Sequence, residues 1–113
     1  MTQIITRPRV YIATPYRTEN MRDSFDRYLI QCITDSIKKG EAPYAPHIYL
    51  PQIKLCDDRT PEGRRIGMEI GRKFLMVCSV LAVYKDFGIS EGMQEEMDVA
   101  KSMKIYINIR SIL

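Results

Sequence analysis

Ser79-Val80-Leu81-Ala82-Val83-Tyr84, followed after a short turn by Gly88-Ile89-Ser90-Glu91-Gly92-Met93-Gln94-Glu95-Glu96-Met97-Asp98-Val99-Ala100, is the stretch on which the reading of this chain rests. The first run is short and continuously apolar, as in a parallel strand covered on both faces. The second opens with Gly88 and Ser90 and then places Met93, Met97 and Ala100 at helical spacing, so a helix starts just past the strand's end. A strand feeding a helix in this way is half of a βαβ unit, and in open α/β sheets the ligand crevice lies at that junction.

Two side chains of the junction stand out. At about 100° per residue, Glu96 falls only about 60° from the centre of the apolar face, whereas Glu95 points nearly the opposite way. Glu96 is either a flank residue with its stem packed and its head in water, or a carboxylate delivered to the crevice. Ser90 is either a plain N-cap, or it joins the free N–H groups near Gly92 and the helix dipole in receiving an anion or a sugar hydroxyl. The two readings of Ser90 are compatible.

Outward from this junction, the same alternation covers the chain. Arg9-Val10-Tyr11-Ile12-Ala13 is the first strand, ended by Thr14-Pro15, and the loop after it holds Tyr16, Arg17 and Asn20. Arg17 there can pair with a carboxylate or phosphate in the crevice. Met21, Phe25, Tyr28, Leu29, Cys32, Ile33 and Ile37 follow helical spacing up to Lys38-Lys39-Gly40, where cations and a glycine end a helix. Residues 42–51 give a short second strand and a loop whose three prolines exclude a long central strand. In that loop His47 fixes the backbone by hydrogen bonding or stands near the crevice, and Asp57 and Asp58 are a solvated turn or substrate contacts. Thr60-Pro61-Glu62 starts another helix. Its apolar stripe is Ile66, Ile70, Phe74 and Val77, while Gly67 and Gly71 permit close packing against the sheet or a second subunit. Lys104 to Ile109 is the last strand.

The order of elements predicts an α/β fold: a small doubly wound, flavodoxin-like or Rossmann-like parallel sheet of about four or five strands, helices on both faces, and the first strand central. At 113 residues the expectation is a single domain over 1–113 that buries roughly two-thirds of its unfolded surface without disulfides or metal. A net charge of +3, dispersed along the chain, argues against a nucleic-acid polymer as partner. Three cysteines without CxxC spacing and a single histidine indicate reduced thiols, a cytoplasmic location and no metal centre. With no signal peptide and no long apolar run, no membrane partner is expected.

Val10 to Arg17, Ala45 to Gln52, and Ile89 to Met93 with Glu96 and Ala100 together resemble the nucleoside 2-deoxyribosyltransferase-like family, over nearly the entire chain. The likeness is to its short bacterial and phage members and, more distantly, to 2′-deoxynucleoside 5′-phosphate N-hydrolases. The resemblance implies that Glu96, four residues before Ala100, is a nucleophile attacking the anomeric carbon. It also implies that Ser90 binds phosphate, that Tyr11 and Arg17 lie near sugar and phosphate, that no cofactor is required, and that the protein forms a homodimer or higher homo-oligomer. Two positions depart from the family pattern: Gly71 stands where an aspartate engages the departing base, and Pro15 where a serine contacts phosphate. Proton donation would then fall to Glu69, Asp57 or Asp58, or not occur.

Two functions follow. One is an enzyme that cleaves or transfers the N-glycosidic bond of a nucleoside or nucleotide, with Glu96 as nucleophile and Tyr11, Arg17, Ser90 and Gly92 holding the sugar or phosphate. The other is a module of the same fold that binds a nucleotide-derived ligand without turning it over. A flavodoxin-type electron carrier fits the architecture but lacks a Ser/Thr-rich phosphate loop after the first strand.

Overall fold

The computed structural model describes residues 6–15 and 22–113. β1 (Arg9–Ala13) is followed by α1 (Arg22–Lys38) and β2 (Ala42–Tyr44). Three single 3-10 turns come next, at Pro46–Ile48, Leu50–Gln52 and Lys54–Cys56. α2 (Pro61–Leu75), β3 (Val80–Tyr84), α3 (Glu91–Ser102) and β4 (Tyr106–Arg110) complete the chain. The four strands pair in parallel in the order β2-β1-β3-β4, so β1 is interior and the fold is the expected small doubly wound α/β domain. β2 lies at an edge and is only three residues long; Pro43 within it has no N–H to give to a ladder, which an edge strand tolerates.

Strand alternation sorts the core into two halves. Val10 and Ile12 of β1 and Ala82 and Tyr84 of β3 face α1, where Tyr28, Leu29 and Cys32 meet them. Tyr11, Ala13, Leu81 and Val83 face the other way, against Leu75 of α2 and Met93 and Ala100 of α3. The chain therefore winds outward from β1 through α1 on one face, and back across β1 through α2 and α3 on the other. The reversal falls between β1 and β3, the switch point at which such sheets open a crevice beyond their strand ends.

The helix ends behave as their residues dictate. Thr60 Oγ1 accepts from Gly63 N at 3.0 Å at the start of α2, with Pro61 in the first turn. Gly40, at φ +84°, turns the chain out of α1 while Glu41 N donates back to Ser36 O at 3.2 Å. The face of α2 differs from the expected stripe. Its buried residues are Gly63, Gly71 and Leu75, whereas Phe74 and Val77 are 44% and 53% exposed. Phe74 instead stacks on Tyr44, ring centroids 4.5 Å apart.

Two polar ties hold the far side of the sheet. Asp86 accepts from Tyr28 Oη at 2.5 Å and from the backbone N–H groups of Ile112 and Leu113 at 3.1 and 2.9 Å, which pins the C-terminus beneath α1. Arg110 reaches Glu41 with both terminal nitrogens, at 2.8 and 2.6 Å, and Ser36 Oγ donates to the same carboxylate at 2.7 Å. These side chains are only 9% and 13% exposed, so either one alone would be a buried charge without its partner. Arg110→Met or Glu41→Gln should each lower unfolding free energy by about 3–5 kcal/mol in denaturant titration. The Arg110 hydrogen bonds hold the Glu41 carboxyl below its ordinary pKa. The tie's contribution is therefore present above the unfolded value and is lost as pH falls through the folded one, and the double variant Glu41→Leu/Arg110→Met should recover most of the single-variant loss.

Candidate functional site

A cleft of about 220 Å³ opens between α2 and α3 beyond the end of β1. Tyr11 rises from β1 into it, Thr14 sits at the strand's exit, and the 3-10 turns bring His47, Cys56 and Asp58 to its mouth. α3 contributes Ser90, Gly92, Glu95 and Glu96, and α2 contributes Arg64, Gly67, Gly71 and Arg72. Of the side chains singled out in the sequence, Tyr11, Ser90, Gly92, Glu96, His47 and Asp58 all converge on this one space. Arg17 lies outside the described residues.

Glu96 is part-buried on α3 and lines the cleft between α2 and α3. Desolvation by that burial pushes its pKa up to about 7; the Tyr11 hydroxyl donates to it and pulls the value down, and the neighbouring Glu95 pushes it up. Tyr11 is 3% exposed, and its own pKa is raised well above the ordinary value, first by burial and then by the adjoining carboxyl. The hydroxyl has room there because position 71 has no side chain: a Cβ on Gly71 would stand 2.8 Å from Tyr11 Oη. Gly71 is thus the residue that leaves Tyr11 room to reach Glu96.

Ser90 caps α3. Its Oγ accepts from Met93 N at 3.2 Å, and its own N–H is met by the Met93 sulfur at 3.4 Å. The capping reading of Ser90 is thus met, and Ser90 and Gly92 both line the cleft. Thr14, just past the end of β1, is 2% exposed, and among the described residues its Oγ1 is the buried side-chain oxygen that makes no hydrogen bond. An unsatisfied buried hydroxyl costs about 1–3 kcal/mol. Nothing in the sequence pattern pointed to it.

His47 lies on the facing wall. Burial drives its pKa down to about 4 against the opposing pull of Asp58, which leaves a neutral imidazole at the cleft mouth at physiological pH. Two of the carboxylates considered as proton donors are elsewhere. Asp57 is turned into its own loop, where Oδ1 accepts from Arg59 N at 3.0 Å and the carboxylate pairs with the Arg59 guanidinium. Glu69 is on the solvent side of α2 and pairs with Arg65, one turn away. The helix phase that carries Gly67 and Gly71 into the cleft carries Glu69 out of it. Glu95 also differs from its expected placement: it lines the cleft and lies 3.8 Å from Arg64 across to α2. A single helical step turns a side chain by about 100°, too little to take Glu95 off a side of α3 that faces another helix.

Arg64, Gly67, Met68, Gly71 and Arg72 recur at one helical face of α2 and bring two cations to the rim. Their spacing was readable, but the apolar stripe beside them carried the stronger signal. All three cysteines are free and buried. Among the described residues no three His, Cys, Asp or Glu side chains gather as a metal site, and no helix is long and apolar enough to cross a membrane.

The folded chain favours protonated Glu96, because its folded pKa of about 7 lies above the ordinary carboxylate value. Wild-type stability should therefore be unaffected by this group near pH 4 and decline as pH rises through about 7. Glu96→Gln, which stays neutral, should melt close to wild type at pH 4.5 and above it at pH 8, a gap read directly from thermal unfolding at the two pH values.

No curated protein matches the sequence. A family model described as a domain of unknown function (DUF7768) matches residues 8–110, which takes in every strand, every helix and the whole cleft, and the chain belongs to that family.

Proposed function

We propose that the cleft cleaves or transfers the N-glycosidic bond of a nucleoside or nucleotide, with Glu96 as nucleophile. The observation that carries this reading is the desolvated Glu96 carboxyl facing the Tyr11 hydroxyl in a cleft capped by the start of α3. A carboxylate in low-dielectric surroundings with one oriented donor is a competent nucleophile toward an electron-poor anomeric carbon. Its oxygen bonds to C1′ as the C1′–N bond breaks, and the bonding pair leaves with the base, which takes a proton from water admitted by the open cleft. Water, or the nitrogen of a second base, then displaces Glu96 and restores the carboxylate. Tyr11 holds the attacking oxygen in place. Ser90 and the N–H groups at Gly92 receive the sugar's 5′ substituent, and the neutral His47 beside Asp58 offers hydrogen bonds to the base. The resemblance in Val10 to Arg17 and Ile89 to Glu96 supports the same assignment.

Gly71 favours a second reading, a module that binds a nucleotide-derived ligand without turnover, since the acid that would engage the base is replaced there by open backbone and the Tyr11 hydroxyl. Incubation with a panel of nucleosides and nucleotides, read by chromatography for free base, separates the two. Under the first reading base is released, and Glu96→Gln abolishes release while retaining binding. The rate should rise with pH through about 7 as Glu96 ionises. A rate that falls over that range would make Glu96 a proton donor and sink the nucleophile assignment. Tight binding without any base release, unchanged in Glu96→Gln, would establish the binding module instead.

A further inference from the structure

Three glycines follow one another at every fourth position on the cleft side of α2, and two of them are explained by the protein itself. A Cβ at Gly63 would stand 2.1 Å from Asp57 O, so the loop before α2 packs onto bare backbone there. A Cβ at Gly71 would meet Tyr11 Oη at 2.8 Å. Gly67, one turn from each, has no such neighbour: a Cβ there would meet nothing within 4 Å. It lines the cleft in the middle of a regular helix with no positive φ. Glycine is among the poorest helix formers, and the fold gains nothing from it at this position.

The second observation is Thr14. Its hydroxyl is as deeply enclosed as the core, lines the same cleft, and has no hydrogen-bond partner. Both residues weaken the folded chain, both border one space, and both become favourable when a flat ligand with a polar edge fills it. Gly67 lies four residues, about 6 Å of helix rise, from Gly71, whose missing Cβ faces the Tyr11 hydroxyl, and it lines the same cleft as Glu96. Thr14 lines the same cleft just past the end of β1, and Ser90 borders it at the start of α3.

We propose that the bare backbone of Gly67 is the seat for the planar heterocycle of the substrate and sets which rings the cleft admits, while the Thr14 hydroxyl hydrogen bonds the same substrate on its sugar side. The assignment rests on the glycosidic reading of the cleft and adds the specificity determinant that reading lacks. A methyl at position 67 projects into the space a ring needs to lie against the helix, and a ring held away from α2 is displaced from the line of Glu96 attack.

The test uses the full chain with Gly67→Ala and, separately, Thr14→Val. The first supplies a better helix former and the second removes an unsatisfied hydroxyl at constant shape, so each should raise the melting temperature of the ligand-free protein, Gly67→Ala by about 4 °C or more. Gly71→Ala, whose methyl meets Tyr11, should not share that gain. With the best substrate from the nucleoside and nucleotide panel, each should raise KM at least tenfold. Gly67→Ala should also reorder preference between one-ring and two-ring bases, and Thr14→Val should leave that order unchanged. A Gly67→Ala protein that melts higher yet keeps wild-type KM and base preference overturns the seat while leaving glycosidic chemistry standing. One that melts lower shows that the fold itself demands the glycine, and also overturns it. Should wild type bind nucleotides without releasing base, the glycosidic reading fails alone, and Kd by calorimetry replaces KM with the same expected ratios. Should wild type neither bind nor cleave any member of the panel, both fail together.

Discussion

The contact on which the site depends is that between the Tyr11 hydroxyl and the Glu96 carboxyl, and its existence is a consequence of strand parity. Tyr11 lies between Val10 and Ile12, whose side chains go to the α1 face, so its ring must go to the face shared by α2 and α3. A tyrosine ring is long enough to carry its oxygen from the sheet to the level of the helices, and it arrives where Gly71 leaves a gap and Glu96 presents a carboxyl. One register shift in β1 would send the ring to the opposite core and leave Glu96 as a desolvated acid without a donor. The interior position of β1, paired in parallel on both sides, guards against such a shift.

That contact also sets the electrostatics of the cleft. Burial raises the Glu96 pKa, the tyrosine donor restrains the rise, and Glu95 opposes the restraint. The result, near 7, puts the carboxyl between its two forms close to neutral pH. Glu95 is in turn drawn toward Arg64 on α2, so the ion pair across the cleft tempers how strongly it acts on its neighbour. The His47 imidazole on the other wall is driven in the opposite direction by the same physics, since burial penalises whichever form is charged.

Much of this was legible before any coordinates. Continuous apolar runs at 10–13 and 80–84, cap residues at Thr60 and Ser90, and the glycine stop after Lys39 each state a local physical preference, and the tertiary structure obeys all of them. What failed was the reading of α2. Ile66, Ile70, Phe74 and Val77 form the conspicuous stripe, yet the helix buries Gly63, Gly71 and Leu75. Hydropathy periodicity weighs side chains, and a helix that packs through glycine backbone has none to weigh on its inner face. The same misjudged phase hid Arg64 and Arg72 at the cleft rim, while Glu69 pairs with Arg65 in solvent. Asp57 behaves as a turn residue: a short polar side chain there finds nearby backbone first, and here it accepts from Arg59 N.

The orphaned Thr14 hydroxyl and the unexplained Gly67 mark a limit of a different kind. Neither is an error of pattern, because nothing in a pattern distinguishes a buried threonine with a partner from one without, or a glycine that packing requires from one that it does not. Both become visible only when each polar atom and each missing Cβ is asked what it would touch. In this fold the answers coincide in one cleft, which also holds the Glu96 carboxyl, whose pKa burial has pushed up to about 7. Residues that the folded chain would be more stable without tend to be held where function needs them. Here they stand in the middle of α2 and just past the end of β1, on two walls of one cleft, so the packing of neither element accounts for them.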